Sequence, residues 1–557
     1  MAKKVFYDDD ARRRVLGGAR ILYEAVKTTM GPRGRNVVYM QFGKPTVTHD
    51  GVSVAKAVDI ADVDDETLGY KVGAELLKQA ASKMNDVAGD GTTTVTVLTY
   101  HILNEANKLI AAGHNPMQLR KGLEAAAADI IKALDTVAEP IEGKKNRVAE
   151  VATISAGDKE IGALIADVMD KVGKDGVVTV EEGQGLHLES EITEGFTFSR
   201  GFVSPYLVTD TARMEAVYDK PAIVLTDKKL TSIQEFLPLL EKLAQKGEKN
   251  LVLIAEDVEG EALGALILNK LKGVFNTVAV KAPEFGERRK DVLNDIAALT
   301  GATVVTEDQG MTFENVGLEV IGRARKVIVT KESTTIIEGV GAVKDVKARI
   351  AEITAQAKAA TGSFDRESLE KRRAALSGKV AVIKVGGATE TEIEEKKFRV
   401  DDAVHAVKAA LDEGVVAGGG VTLIELGRAL IEDRVKSKTE GAPRLLSSDT
   451  SSITGDPGAD ILLRAMIQPF LVLTKNAGLN EQALFGEILA NKGKAIDVNT
   501  GQLVDPLKAG IIDPKRVTRE AIQNAVSIAG TGMTMGALVV DVPEAKSAAP
   551  DMSAMGM

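Results

Sequence analysis

The chain has 557 residues, enough for about three or four folding units, and its 44% hydrophobic content excludes wholesale disorder. Lys and Arg number 70 against 80 Asp and Glu, a formal charge of −10, and only 4% of residues are aromatic, with no Trp. This supplies neither the basic stripe that duplex nucleic acid needs nor a stacking surface for single strands, so no nucleic-acid partner is expected. The absence of cysteine removes disulfides, thiolate metal sites, Fe–S clusters and a Cys nucleophile.

No apolar run reaches the roughly 18 residues of a membrane span, so no membrane partner is expected either. The start, MAKKVFYDDDARRRVL, carries early acids and no apolar core. It reads as neither a secretory signal nor a transit peptide, and the expected compartment is the cytoplasm.

The first 135 or so residues read as mostly helical. Leu68, Val72, Leu76, Ala80, Met84 and Val87 recur at steps of three and four, one stripe of a helix over Thr67–Val87. A Gly-Asp-Gly turn interrupts at Gly89–Gly91, and a second helix runs from Thr92 to Ala112, closed by Gly113 and Pro116. Between Val37 and Val54 lie short β-like pieces. From Thr179 strand-like runs (LHLESEITEGFTF, AIVLT, NLVLIAED, NTVAVKAP, ATVVTED) alternate with helical segments, the rhythm of an α/β layer.

A charged helical stretch, Asp345–Ser377, precedes a buried strand at Val380–Gly387, and the chain is helical again from Thr389 with a break at Val415–Gly420. Ser437–Gly458 reads as a long surface loop and the tail after Pro543 as disordered. Helical texture at both ends suggests a central domain inserted into a helical one. No fixed-period repeat is visible.

The chemistry concentrates in glycine clusters. In GDGTTT, Gly89–Thr94, two glycines let backbone N–H groups approach an anion, and three threonines open a helix whose N-terminus favours phosphate. Asp90 would suit the Mg²⁺ that accompanies a nucleotide. The competing reading is a tight turn with Thr caps. TTMGPRGRN, Thr28–Asn36, is read first as a helix C-cap whose Arg-Gly-Arg turn could wrap a phosphate. AGGGVT, Ala417–Thr422, is a third loop before a helix. No GxxxxGK[ST] pattern occurs, so a nucleotide site would not be of the P-loop class. Asp50 stands in a turn, Asp402 in a helix and Asp513 in a turn before Pro514, and no spacing proves that they meet. The five histidines form no HxxxH or HxH, which disfavours catalytic zinc; His405 reads as a packed histidine.

Two central helices are unusually apolar. Over Thr231–Gln245 the apolar residues cover roughly 160° of the helical wheel, and over Gly260–Lys272 roughly 200°, where a core stripe needs little over about 100°. The excess is a second buried contact, favoured on pattern alone, or an exposed groove for non-native chains.

Together these motifs resemble the group I chaperonin family, the GroEL type, from about Lys3 to Pro543. They stand here as TTMGPRGRNVV (Thr28–Val38), DGVSVAK (Asp50–Lys56), NDVAGDGTTT (Asn85–Thr94), TISAGD (Thr153–Asp158), AEDVEGEAL (Ala255–Leu263), GVVAGGG (Gly414–Gly420) and IIDPKRVTR (Ile511–Arg519). The resemblance implies a multidomain α+β subunit. A mostly helical equatorial ATPase domain would span 1–137 and 413–543, a small intermediate hinge domain 138–193 and 380–412, an α/β apical domain 194–379, with a disordered tail at 544–557. It implies an ATP-dependent chaperonin that captures non-native proteins and encloses them under a 10 kDa co-chaperonin lid of the GroES type. The alternative is a scaffold that binds without a productive folding cycle. The subunits would form a seven-membered ring, one ring or two.

The resemblance assigns residues one by one. Thr29, Gly31 and Pro32 match the first phosphate loop, and Asp90, Gly91, Thr92, Thr93 and Thr94 the Mg²⁺ and phosphate loop. Asp50 and Asp402 match the carboxylates that poise the attacking water. Ser155 matches a residue near the nucleotide, and Gly419 and Asp513 the adenosine contacts. Thr29, His49 and Thr93 would serve a K⁺ ion, His49 through its carbonyl in place of the usual Lys. The substrate and co-chaperonin groove would comprise Phe202, Tyr206, Leu207, Leu237, Leu240, Leu263, Ile267, Leu268 and the polar Asn269. Departures are Asp497-Val498-Asn499 in place of Asn-Ala-Ala at the adenine edge, and Leu471 and Asn480 in place of an Arg and a Glu at the ring–ring contact, within a helix expected over Arg464–Leu484.

Overall fold

Small residues set the helix packing of the first of two units. The computed structural model describes residues 2–41, 44–61, 65–174, 176–183, 185–211, 213–360, 362–434 and 453–542. Most of the Ser437–Gly458 loop, and the tail at 544–557, lie outside the described residues. The chain divides into one unit of Met1–Asp170, Glu182–Leu188 and Val385–Met557, and another of Lys171–Glu181 and Glu189–Lys384. Residues 138–170 and 385–412, expected in a separate intermediate domain, group with the first unit.

The first unit is a helical assembly of Asp8–Val26, Tyr70–Ala88, Thr92–Ala111, Pro116–Val137, Pro457–Met466 and Lys515–Met533. Thr92–Ala111 is its centre: Val95, Val97, Leu98 and Ile102 are essentially inaccessible. The buried Thr96 and Thr99 hydroxyls donate back to the Thr92 and Val95 carbonyls at 2.8 and 2.7 Å, so neither is left unpaired in the core. The helix expected over Thr67–Val87 begins at Tyr70, and its main core face is Ala74, Leu77, Ala80, Ala81, Met84 and Ala88. Val72 and Leu76 instead meet a second cluster built on Phe6, Val15, Leu68 and Leu538. One helix serves two cores, which a single stripe does not express.

Both chain ends enter that second cluster. Lys3–Tyr7 pairs antiparallel with Ala537–Asp541, from Lys3 opposite Asp541 to Tyr7 opposite Ala537. The stretch read as β-like between Val37 and Val54 splits. Val37–Gln41 and Lys44–Thr48 form a hairpin, whereas Gly51–Ala57 is a helix because Asp50 caps it. Among the described residues no helix is long and apolar enough to cross a membrane.

The second unit centres on a mixed sheet ordered Asn276–Lys281, Asn250–Ala255, Ala222–Thr226, Gly322–Val329, Thr334–Gly339, Glu189–Phe198, Lys379–Val385, Val177–Glu182. The first three strands are parallel, and the helices Ile233–Gln245 and Gly260–Leu271 make the crossovers such strands require. The predicted strand ATVVTED is reduced to Val304–Val305. The single charged helix expected over Asp345–Ser377 is two, Val343–Ala359 and Ser363–Leu376. Arg349 and Arg372, one from each, converge on the buried Asp295 carboxylate of Glu287–Thr300 at 2.7 Å apiece.

In the first unit, helices Asp8–Val26 and Tyr70–Ala88 cross with backbones in contact. A Cβ on Gly18 would lie 1.7 Å from the Tyr70 carbonyl oxygen, and one on Gly73 1.8 Å from that of Val15. Gly73→Ala therefore forces the helices apart. It should cost about 3 kcal/mol by overpacking, seen as a lower urea midpoint in circular dichroism. An unchanged midpoint would show that the two helices separate freely.

Candidate functional site

The first unit encloses a cavity of about 760 Å³. Five stretches far apart in sequence supply most of its chemistry.

Helix Asp8–Val26 ends in a tight turn, Lys27–Thr29. The loop that follows closes on itself, Gly34 N–H donating to Gly31 O at 2.9 Å and Arg35 N–H to Thr28 O at 2.8 Å. The Asn476 side chain pins it from outside by donating to Lys27 O at 2.8 Å and Met30 O at 3.0 Å. Thr29, Gly31 and Pro32 line the cavity, and the Thr29 and Thr93 hydroxyls lie 2.9 Å apart.

The second stretch is the Gly89–Thr94 turn. Gly89 and Gly91 are left-handed, with φ of 69° and 81°, and Thr92 begins the 20-residue helix. A side chain at Gly91 would also strike Val517 and Met84 within 2.8 Å, so the position requires glycine twice over. The first-turn N–H groups of Thr92–Ala111 thus belong to a loop that lines a cavity, the arrangement that favours an anion. Asp90 accepts the Gly91 N–H at 2.5 Å and the Ser155 hydroxyl at 3.0 Å.

Asp50 and Asp402 both line the cavity. Asp50 accepts Val52 N–H at 3.1 Å and Ser53 N–H at 2.8 Å as the cap of Gly51–Ala57. Asp402 stands on Glu390–Glu413, where Glu395 and Arg399 line the same space at steps of four and three. Asp513 is not in a turn: Ile512–Pro514 is a strand paired with Val415–Ala417, opposite Val416. That pairing brings it to the wall that also holds Gly419. Every residue expected of a nucleotide site, His49 included, lines this one cavity. So do Asp497, Val498 and Asn499.

The site crowds acids. Burial drives the Asp90 pKa up; the Gly91 N–H and Ser155 hydroxyl pull it back, and the Asp50 charge raises it further. Burial, with the Asp90 charge, lifts Asp513 to about 7. The His49 pKa is lowered by burial and by Arg399, against Glu395 and Asp50. Buried carboxylates that repel one another suit a cation. Among the described residues no group of three or more His, Asp or Glu could hold one unaided.

The residues expected in the groove of the second unit differ in exposure. Leu207 and Leu240 are core residues, at 0% and 5% exposure, in the same apolar cluster as Phe236 and Leu266. Tyr206, Leu237 and Leu268 are exposed at 70%, 36% and 51%, and Leu271 follows at 73%. Phe202, Leu263 and Ile267 are half-buried against the core. The Asn269 side chain donates to its own helix at Ala265 O, 2.9 Å away. On Ile233–Gln245 the broad apolar arc is therefore mostly buried, whereas on Gly260–Leu271 only Ala262 and Leu266 are buried.

Sequence reasoning missed Asn476, Glu395 and Arg399. The last two were legible as one helical face with Asp402. Asn476 carried no signal, since its partners are carbonyls more than 440 positions away.

The raised Asp513 pKa has a stability consequence. Its protonated form contributes stability that is complete below the ordinary carboxylate value near 3.8 and is lost as pH rises through about 7. Asp513→Asn should stabilise the nucleotide-free protein at pH 8 by on the order of 3 kcal/mol, and by much less at pH 5. Scanning calorimetry at the two pH values checks this; an equal effect at both contradicts it.

Residues 22–543 match the TCP-1/cpn60 chaperonin family. Among solved structures, the fold is similar to that of the chaperonin gp146 from the bacteriophage EL 2 (Pseudomonas aeruginosa), crystallised in the presence of ATP-BeFx. The TM-score is 0.66 at 20% identity, over 97% of this chain and 99% of that one. The chain belongs to the TCP-1/cpn60 chaperonin family and is a chaperonin of the GroEL type.

Proposed function

We propose that the protein is an ATP-driven folding machine, with the helical unit as its ATPase and the sheet unit as its client-binding part. The observation that carries this reading is the convergence of two phosphate-type loops with Asp50, Asp90, Asp402 and Asp513 on one cavity. The Thr29–Asn36 loop and the Thr92 helix N-terminus would cradle phosphates, and Asp513 would accept the ribose hydroxyls. Mg²⁺ held at Asp90 would supply charge neutralisation at the transferring phosphoryl group. The paired hydroxyls of Thr29 and Thr93, with the His49 carbonyl, suit K⁺. Asp402 orients and deprotonates the attacking water, and Asp50, rigid as a helix cap, sets the local field.

Asp402→Ala should leave binding of a fluorescent ATP analogue nearly intact and slow turnover about 100-fold or more, as for loss of a general base. Turnover within threefold of wild type would remove Asp402 from that role.

The exposed face of Gly260–Leu271 supports capture of non-native chains. On it Leu268 and Leu271 are exposed to solvent. Capture would be followed by release under a 10 kDa co-chaperonin in a cytoplasmic seven-membered ring, through a three-domain subunit with 138–193 and 380–412 as its hinge. Whether rings pair bears on two residues. Asn480 caps Glu481–Ala490 by accepting Ala483 N–H at 3.1 Å, and Leu471 packs in part on its own core. Both side chains have a task within the subunit, and neither supplies a charge to a facing ring.

The groove separates by burial. Leu268→Ser should abolish capture of a denatured protein with the melting temperature and ATPase unchanged. Leu240→Ser should instead cost about 2–5 kcal/mol, as for truncating a core leucine. Light-scattering suppression and thermal melts on both variants read this out, and equal destabilisation by the two would mean that Leu268 serves the fold.

A further inference from the structure

Arg33 joins two parts of the cavity wall that the sequence keeps 466 residues apart. Its guanidinium Nη2 donates to the Asn499 carbonyl at 3.0 Å. Gly31, Pro32, Gly34 and Arg35 line the cavity on either side of Arg33, and Asp497, Val498 and Asn499 line it around the acceptor.

Each partner sits on a stiff segment. The Arg33 turn is closed by the Gly31–Gly34 and Thr28–Arg35 bonds and pinned by Asn476. The acceptor turn joins the paired strands Ala495–Asp497 and Gln502–Val504. Asp497 organises it completely: Oδ1 accepts Asn499 N–H at 2.9 Å, Oδ2 the Thr500 hydroxyl at 3.0 Å, and its carbonyl the N–H groups of Thr500 and Gly501 at 3.1 and 2.7 Å. The Asp497 carboxylate is thereby occupied within the turn. The Arg33–Asn499 hydrogen bond is a direct link between these two segments.

We propose that Arg33 is a positioning residue for nucleotide retention, tying the Gly31–Arg35 turn to the Asp497–Gly501 turn and holding the cavity wall around a bound nucleotide. The inference rests on the nucleotide reading of the cavity. Both ends of the tie are exposed, so it is a modest bond that opens and reforms, suited to setting how long a nucleotide stays.

The test is stopped-flow release of the fluorescent nucleotide MANT-ADP, with Mg²⁺, from the full-length assembled protein. Arg33→Met keeps the stem and removes the donor; Arg33→Lys keeps a donor. The Met variant should release about fivefold faster, the loss of one hydrogen bond, with association within about twofold, since contact losses fall on the off-rate. The Lys variant should return release to within about twofold of wild type. Release from Arg33→Met at the wild-type rate overturns the inference while leaving the nucleotide site standing. Release from Arg33→Lys as fast as from Arg33→Met also overturns it, because shape and not the donor would then matter. Failure of the wild-type protein to bind MANT-ADP at all overturns the nucleotide reading, and this inference with it.

Discussion

Repulsion among carboxylates brought to one cavity constrains the helical unit. Asp90 and Asp513 stand part-buried on its wall, where the charge of Asp90 acts on Asp513 and that of Asp50 on Asp90. Nothing in folding favours that arrangement, since each carboxylate loses hydration and gains a repulsive neighbour. The surrounding structure holds it in place. A strand pair fixes Asp513, a left-handed glycine turn fixes Asp90, and a helix cap fixes Asp50. The cavity is thus a set of electrostatically unfavourable positions imposed by well-packed elements.

The local grammar of that site was legible in the sequence. GDGTTT gave the turn and the helix start correctly because both follow from residues in contact along the chain. The convergence of Thr29, Asp90, Asp402 and Asp513 was not legible from spacing, because it depends on which helices pack together. The order of many motifs, and their likeness to one family, supplied it instead. Asp513 shows the limit. Asp-Pro reads as a turn, but pairing with Val415–Ala417 makes it a strand, and no local propensity reveals a partner about 100 residues away.

The apolar helices show the opposite failure. Pattern alone treated both wide arcs alike and favoured burial. Ile233–Gln245 does bury most of its arc, because Phe236, Leu239, Leu240 and Leu243 lie against the sheet. Gly260–Leu271 buries only Ala262 and Leu266, packs Leu263 and Ile267 partly against the core and leaves Leu268 and Leu271 exposed. The wheel measures how much apolar surface a helix carries. Which part meets the sheet is decided by crossover geometry, and Leu240 and Leu268 fall on different sides of that division.

The antiparallel pairing of Lys3–Tyr7 with Ala537–Asp541 sets a schedule for the newborn chain. The first strand is synthesised more than 500 residues ahead of its partner. At about 5–20 residues per second, the wait is on the order of a minute. Through that interval the sheet unit, whose strands all lie between Val177 and Val385, can complete itself, while the helical unit lacks its closing strand and its last long helix. During synthesis the helical unit is itself an incompletely folded chain with exposed apolar surface.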